Sequence, residues 1–350
     1  MTRLPSNGKR SCVLVTRNGQ SGLTLVELMI SITLGMLVVL AATALLVSSK
    51  SAYTGQDDSA KVRDTANYAL ELINRAARQG AYENWDTGEG GAPILTLPKM
   101  SANIAGLDAS SLKDTTTAID SPLTGATAVV NGSDVLGIRF FGSGPAGKPD
   151  NGMIDCAGFG ISAPASQSTA EQDRGWSIFY VVKDTGGEPE LRCKYYPDGG
   201  GTWASVAVAR GVESFQVLYG LDTDGAKPGE GDRIPNQFVT ATAINALDDK
   251  LSLDGADAAA QAIDKNKRTN WKRVVAIKVA LLLRGTNKSR NDVLNQTYDL
   301  FGSDYSTGNA AADTGTLIKE AELPTATRNR YRKLFLADIQ FRNQAEGSGK

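Results

Sequence analysis

Twenty successive residues, Leu28 to Val47, carry no charge, and no polar stripe divides them. A helix of that length rises about 30 Å, the thickness of the hydrocarbon core of a bilayer. The pattern predicts a transmembrane helix. Arg3, Lys9, Arg10 and Arg17 precede it, with no acid before Glu27. Basic flanks stay in the cytoplasm, so everything after Lys50 is expected on the other side.

After the apolar run the pattern changes period. Val62, Ala66, Ala69, Leu70, Ile73, Ala76 and Ala77 recur every three or four residues, while Lys61, Arg63, Asp64, Glu71, Arg75 and Arg78 fall between them. That is one apolar face of a continuing helix, residues 48–79, expected to grip a β-sheet. Gly80 is the expected stop and Gly55 a candidate bend. Residues 81–134 have weak periodicity and read as a long connection. Alternation then predicts strands at Val135–Phe141, Trp176–Lys183, Leu191–Tyr196, Val212–Tyr219, Val274–Arg284 and Leu334–Phe341. Asp184-Thr185-Gly186-Gly187 reads as a hairpin turn. Segments 221–270 and 285–327 read as long loops, with a short helix near Ala258–Ile263. One long helix followed by antiparallel strands is an α+β arrangement.

Composition narrows the chemistry. With 41% hydrophobic and 21% charged residues, most of the 350-residue chain should fold. Lys+Arg is 37 against Asp+Glu 38, so no basic excess points to nucleic acid. Histidine is absent, which excludes histidine-based triads, bases and metal ligands. Gly199-Gly200-Gly201 and Gly90-Gly91 lack the Lys-Ser/Thr of a phosphate loop and read as turns. No catalytic constellation stands out, and no cofactor is expected.

The start of the apolar run carries the most specific signal. A secretory leader is cut after its apolar stretch, at small residues. Here Gly19-Gln20-Ser21-Gly22 lies before the stretch, followed by Leu23-Thr24-Leu25-Val26-Glu27-Leu28-Met29-Ile30. This resembles the leader of type IV prepilins, with Leu where Phe is commonest. The resemblance implies cleavage between Gly22 and Leu23 by prepilin peptidase, and methylation of the Leu23 amine. It gives a leader at 1–22, a transmembrane helix at 23–47, an amphipathic continuation at 48–80 and an α+β head at 81–350. The expected fold is pilin-like, a long N-terminal helix packed on an antiparallel β-sheet head.

Glu27 is a carboxylate inside the apolar span, at a cost of roughly 2.5–3.5 kcal/mol on insertion scales. Cleavage creates a positive amine at Leu23, one helical turn away. In a bundle of such helices, Glu27 of one subunit can neutralise the Leu23 amine of a neighbour, with Thr24 helping to hold that amine. A lone polar pair in an apolar interface fixes register.

Further pieces narrow the resemblance to minor pilins of the PilW type. They include Val135-Leu136-Gly137-Ile138-Arg139-Phe140, Asp155-Cys156-Ala157-Gly158, Gly211-Val212-Glu213-Ser214-Phe215, Tyr219-Gly220-Leu221-Asp222-Thr223-Asp224 and the strand from Trp271 to Leu283. The resemblance implies a non-enzymatic subunit that begins in the inner membrane with its head in the periplasm. Assembly then carries it into the pilus on the cell surface. Implied partners are other minor pilins, the major pilin and a PilY-type tip adhesin, in support of twitching motility and adhesion. The alternative is a J-type minor pseudopilin of type II secretion. A signal-anchored periplasmic enzyme is the reading from another class, and it leaves Gly22 and Glu27 unexplained.

Cys12 lies in the leader. Cys156 and Cys193 lie in the exported part, where oxidation favours a bridge between them. Asp222, Asp224 and Asp232 are a weak calcium candidate. An EF-hand has Gly sixth in its loop, and here Gly225 comes fourth, so a solvated acidic turn is the favoured reading.

Overall fold

A helix starts where its first-turn donors find acceptors, and Thr24 and Glu27 provide them at the head of α1, Leu25–Gln79. The computed structural model describes residues 22–82, 94–95, 97–125, 127–288, 290 and 295–342. The expected leader lies almost wholly outside these residues. Gly55 does not interrupt α1. The helix ends at Gln79, and Gly80 N–H donates to the carbonyls of Ala76 and Ala77. The left-handed residue that turns the chain is Ala81, with φ 58°, not Gly80. Gly80 is small for a different reason. A Cβ there would lie 3.2 Å from Ile138 and 3.3 Å from Phe341.

The chain divides into two compact units, residues 1–53 and 54–350. In the larger, a five-stranded and a four-stranded antiparallel sheet follow one another along the chain, beside a two-stranded one formed by Thr297–Asp299 and Leu317–Lys319. The first has the order β1 (Ile104–Leu107), β2 (Val135–Phe140), β3 (Gly175–Lys183), β4 (Pro189–Tyr195), β5 (Ala204–Arg210). The short α2, Ala170–Asp173, precedes β3. The second sheet is built on β6 (Val212–Leu221), which pairs with β7 (Gln237–Val239) and with β8 (Val274–Arg284). Gly211 alone separates the sheets along the chain. Its φ is 80°, and a Cβ there would meet the Arg284 carbonyl at 2.6 Å, so only glycine fits the crossing.

Between β7 and β8 lie α3 (Ala241–Asp248) and α4 (Ala258–Arg268). After β8 come β9 (Thr297–Asp299), α5 (Ser303–Asn309) and β10 (Leu317–Lys319). The last strand, β11 (Arg332–Gln340), returns to pair with β8 along its whole length.

The apolar face of α1 enters the main core. Val62, Ala66, Ala69, Leu72, Ile73, Ala76 and Ala77 are buried with Leu136 and Ile138 of β2, Phe179 of β3, Leu191 of β4, Phe215 and Val217 of β6, and Ile277, Val279 and Leu281 of β8. Four alanines on that face let backbone and sheet approach closely. Leu72 belongs to the buried face and Leu70 only flanks it.

Alternate residues of β8, Ala280 and Leu282, face the other way and pack under Leu300, Ile318 and Leu323. Segment 285–327, expected as loop, therefore carries elements because β8 is apolar on both faces. A buried ion network ties the same region together. Glu213 accepts from Arg284 Nη1 at 2.9 Å and from Arg332 Nε at 2.5 Å, and Arg332 reaches Glu320.

Candidate assembly site

Leu23 through Val47 are exposed along the whole run. Among the described residues, α1 is the helix long and apolar enough to cross a membrane. Its hydroxyls do not disturb that property. Ser31, Thr33 and Thr43 each donate to a carbonyl of the preceding turn, at 2.7–2.9 Å. A hydroxyl satisfied on its own helix costs little in an apolar medium.

At the head of the run, Thr24 and Glu27 hold each other. Glu27 N–H donates to Thr24 Oγ1 at 3.2 Å. Thr24 N–H and its hydroxyl both donate to Glu27 Oε2, at 3.0 and 3.1 Å. This reciprocal pair is a capping box, which satisfies orphan donors of the first turn. Thr24, expected to help hold the Leu23 amine, also closes this box. The Thr-x-x-Glu spacing was the signal for it. A negative group in the first turn also complements the helix dipole. Leu23 lies immediately before this box. Gly22 is free of fold constraints, since a Cβ there would meet nothing within 4 Å.

In the head, Cys156 and Cys193 are joined, with Cα atoms 5.8 Å apart. The bridge ties the turn after Asp155 to β4. Asp155 itself is buried, accepting at Oδ1 from the N–H groups of Ala157 and Phe159. Burial pushes its carboxyl up to about 6, against those N–H bonds.

Asp222, Asp224 and Asp232 come together, with one oxygen from each within 4.8 Å of the others. Asp222 is buried, and its two oxygens accept from Asp224 N–H and Arg233 N–H. Asn236 ties Thr223 and Asp224 to the same turn. Backbone donors thus already explain why these acids converge, and proximity alone assigns no ion.

Residues 178–343 match the family model described as type IV pilus-assembly protein W, PilW. Residues 17–43 match the prokaryotic N-terminal methylation motif. The C-terminal half of the chain is thus similar to PilW, behind a stretch similar to a prepilin-type signal. PilW thus covers most of β3 through β11, and the methylation motif covers the capping box with the first turns of α1. Together they support a type IV pilin role, and the signal with the apolar run of α1 suggests membrane anchoring. Among solved structures, a type IV-like pilin from Thermus thermophilus aligns at 15% identity over 81% of this chain and 99% of its own, with a TM-score of 0.35. A likeness of that size carries no weight here. No curated protein matches the chain.

Proposed function

We propose that this PilW-domain chain is a minor pilin that helps to initiate type IV pilus assembly and resides in the tip complex. The carrying observation is the joining of a prepilin-type signal to a PilW domain in one chain. That pairing favours a pilus subunit over a secretion pseudopilin. The role is structural rather than enzymatic. Residues 1–22 form the leader, removed on the cytoplasmic face by prepilin peptidase. Residues 23–47 anchor the chain in the inner membrane, 48–80 continue the helix into the head, and 81–350 form a periplasmic head that later reaches the cell surface. The partners are other minor pilins, the major pilin and a PilY-type adhesin, in support of twitching motility and adhesion.

Assembly moves the apolar half of α1 from lipid into a helix bundle. The methylated Leu23 amine enters that bundle and needs a counter-charge. Glu27 supplies one. Breaking such a pair leaves a buried charge, at roughly 3–5 kcal/mol. Glu27→Val removes the charge and the capping box. Glu27→Gln removes the charge alone, because glutamine also serves at that position of the box. Both variants should be cut and anchored normally, since removing an acid eases insertion.

The experiment compares membrane levels, the N-terminal residue by mass spectrometry, and surface fibres in a strain lacking the native protein. The expected result is methylated Leu23 in all three proteins and fibres from the wild type alone. Fibres from Glu27→Gln but not Glu27→Val would reduce Glu27 to its capping role. A mature N-terminus beyond Val47 would overturn the prepilin reading altogether.

A further inference from the structure

Strand β10 has one edge in use and one edge free. Leu300 N–H donates to the Thr316 carbonyl and Glu320 N–H to the Gln296 carbonyl, each at 2.8 Å. In an antiparallel pair the backbone groups alternate, one residue towards the partner and the next away. With Ile318 opposite Tyr298, this phase turns Thr316, Ile318 and Glu320 towards β9 and Leu317 and Lys319 outwards. Among the described residues, no backbone bond meets Leu317 or Lys319 on that outer side.

A cleft of about 450 Å³ lies along this free edge. Leu317, Ile318 and Lys319 all border it. A hollow over one face of a strand would meet every second residue, because side chains alternate between the faces. Three successive residues are met along an edge, and β9 occupies the other edge. Ala109, Val129 and Leu323 give the rest of the lining an aliphatic character. At one end the walls touch, since a Cβ on Gly132 would lie 2.6 Å from the Thr314 carbonyl.

The ribbon has a physical reason to accept another strand. β9 and β10 hold three residues each, and two short strands alone are marginal in water. Ile318 and Leu300 fix one face of the ribbon on Ala280 and Leu282. That packing leaves the outer edge unpaired. Its N–H and C=O groups recur every second residue, about 6.7 Å apart. A sugar, a nucleotide or a lipid tail has no matching row, and an extended polypeptide has one. Charge at the rim is balanced, because Lys319 pairs with Glu322 at 3.3 Å. The rim therefore favours an uncharged segment over an acidic or basic one.

We propose that this cleft takes an extended segment of a partner polypeptide. The segment adds to β10 as a third strand, exchanges backbone bonds with Leu317 and Lys319, and seats an aliphatic side chain against Val129 and Leu323. The cleft uses no residue of α1, so it can fail while the anchoring and assembly reading stands, and the reverse.

The test uses the full mature chain in detergent micelles and reads amide hydrogen exchange at Leu317 and Lys319 by nuclear magnetic resonance. The probe is the capped pentapeptide acetyl-Thr-Val-Leu-Val-Thr-amide at about 5 mM, against an expected Kd of about 1 mM. Both amides should exchange about sixfold more slowly, the ratio that mass action gives at that concentration. Two controls keep the leucine side chain and lack a strand edge. They are the same peptide methylated on every backbone nitrogen, and leucinamide. Each should slow exchange by about 1.5-fold or less. Lys319→Pro removes an N–H that the fold leaves unused, and proline is tolerated on an edge strand. It should melt with the wild type, and the peptide should slow Leu317 there by about 1.5-fold or less. No slowing by the parent peptide would overturn the site. So would equal slowing by either control, or full slowing at Leu317 in Lys319→Pro. If that variant unfolds, the methylated peptide on the wild-type chain still separates strand addition from apolar contact.

Discussion

The first and second halves of α1 are built for different surroundings. From Leu28 to Val47 the helix carries no charge on any side and stays exposed, Leu45 at 72%. From Val62 to Ala77 one face is buried, Ile73 at 0%, and charges occupy the other. The second half has an inside and an outside, because its own chain supplies the cover. The first half has neither. Among the described residues nothing covers it, as suits a membrane anchor. The same backbone serves both because a helix satisfies its backbone hydrogen bonds within itself, in water or in lipid.

The contrast breaks if a truncation in the first half harms the head. Ile73→Ala should cost roughly 2–5 kcal/mol of head stability, since it leaves a cavity between helix and sheets. Leu37→Ala should leave the thermal midpoint of the head unchanged. Near-ultraviolet circular dichroism of both variants in micelles reads the difference. A matching drop in Leu37→Ala would mean that the first half is packed on protein after all.

A second measurement sharpens the packed side. Losing Cys193 to alanine should cost about 2–4 kcal/mol, the usual worth of a bridge of this span. Thiol tagging of unreduced mature protein should find no reactive cysteine. Two free thiols, or a variant as stable as the wild type, would remove the bridge from the account.

What was legible follows the same division. The charge-free run and the 3.6-residue stripe were plain, and so were strands whose apolar residues alternate, such as β8. β5 was missed. Its sequence, Ala204-Ser205-Val206-Ala207-Val208-Ala209-Arg210, offers small residues and little contrast, and it sits at a sheet edge, where only one neighbour specifies it. The strands β9 and β10 have three residues each, too short for any period. They exist because both faces of β8 need cover. α3 was hidden in segment 221–270, although Thr240 caps it through Ala243 N–H. Asp108 adds bonds to Ala241 and Thr242 N–H from far away in sequence, a contact no local pattern could announce. At the candidate site, the spacing of Gly22 and Glu27 was readable, while the bonds that Asp222 accepts from Asp224 N–H and Arg233 N–H were not.

Acidity probes the turn that the packed half of α1 holds. Arg75 donates to the Asp155 carbonyl at 3.3 Å, and burial raises the Asp155 carboxyl to about 6. Its unfolded value is near 3.9. Above about pH 6 the carboxylate is charged in both states and its burial cost is fully present. As pH falls from 7 towards 5, the folded state takes up the proton first and stability rises. Below about 4 both states are protonated and the gain stops. Asp313, also raised to about 6 by burial, acts in the same direction. Asp155→Asn should remove about 1–2 kcal/mol of the rise between pH 7 and pH 5. Melting curves of wild type and variant at both values check this. An identical rise in the variant would assign the whole effect to Asp313 and other acids.

The smallest effect concerns the first turn of the exposed half, where no packing supports the helix and the capping box acts alone. Thr24→Ala removes the acceptor for Glu27 N–H. An N-cap of this kind is worth about 1 kcal/mol, so the Glu27 amide should exchange with solvent about fivefold faster. Thr24→Ser keeps the oxygen and should keep the protection. Hydrogen exchange in micelles, followed by nuclear magnetic resonance, separates the two. Amides near Ile73 should not respond in either variant, because sheets rather than caps hold them. Equal exchange at Glu27 in Thr24→Ala and wild type would show that lipid-like surroundings alone secure the first turn. Faster exchange in Thr24→Ala, with fibres still formed by that variant, would separate capping from assembly and leave the charge of Glu27 as its contribution to the pilus.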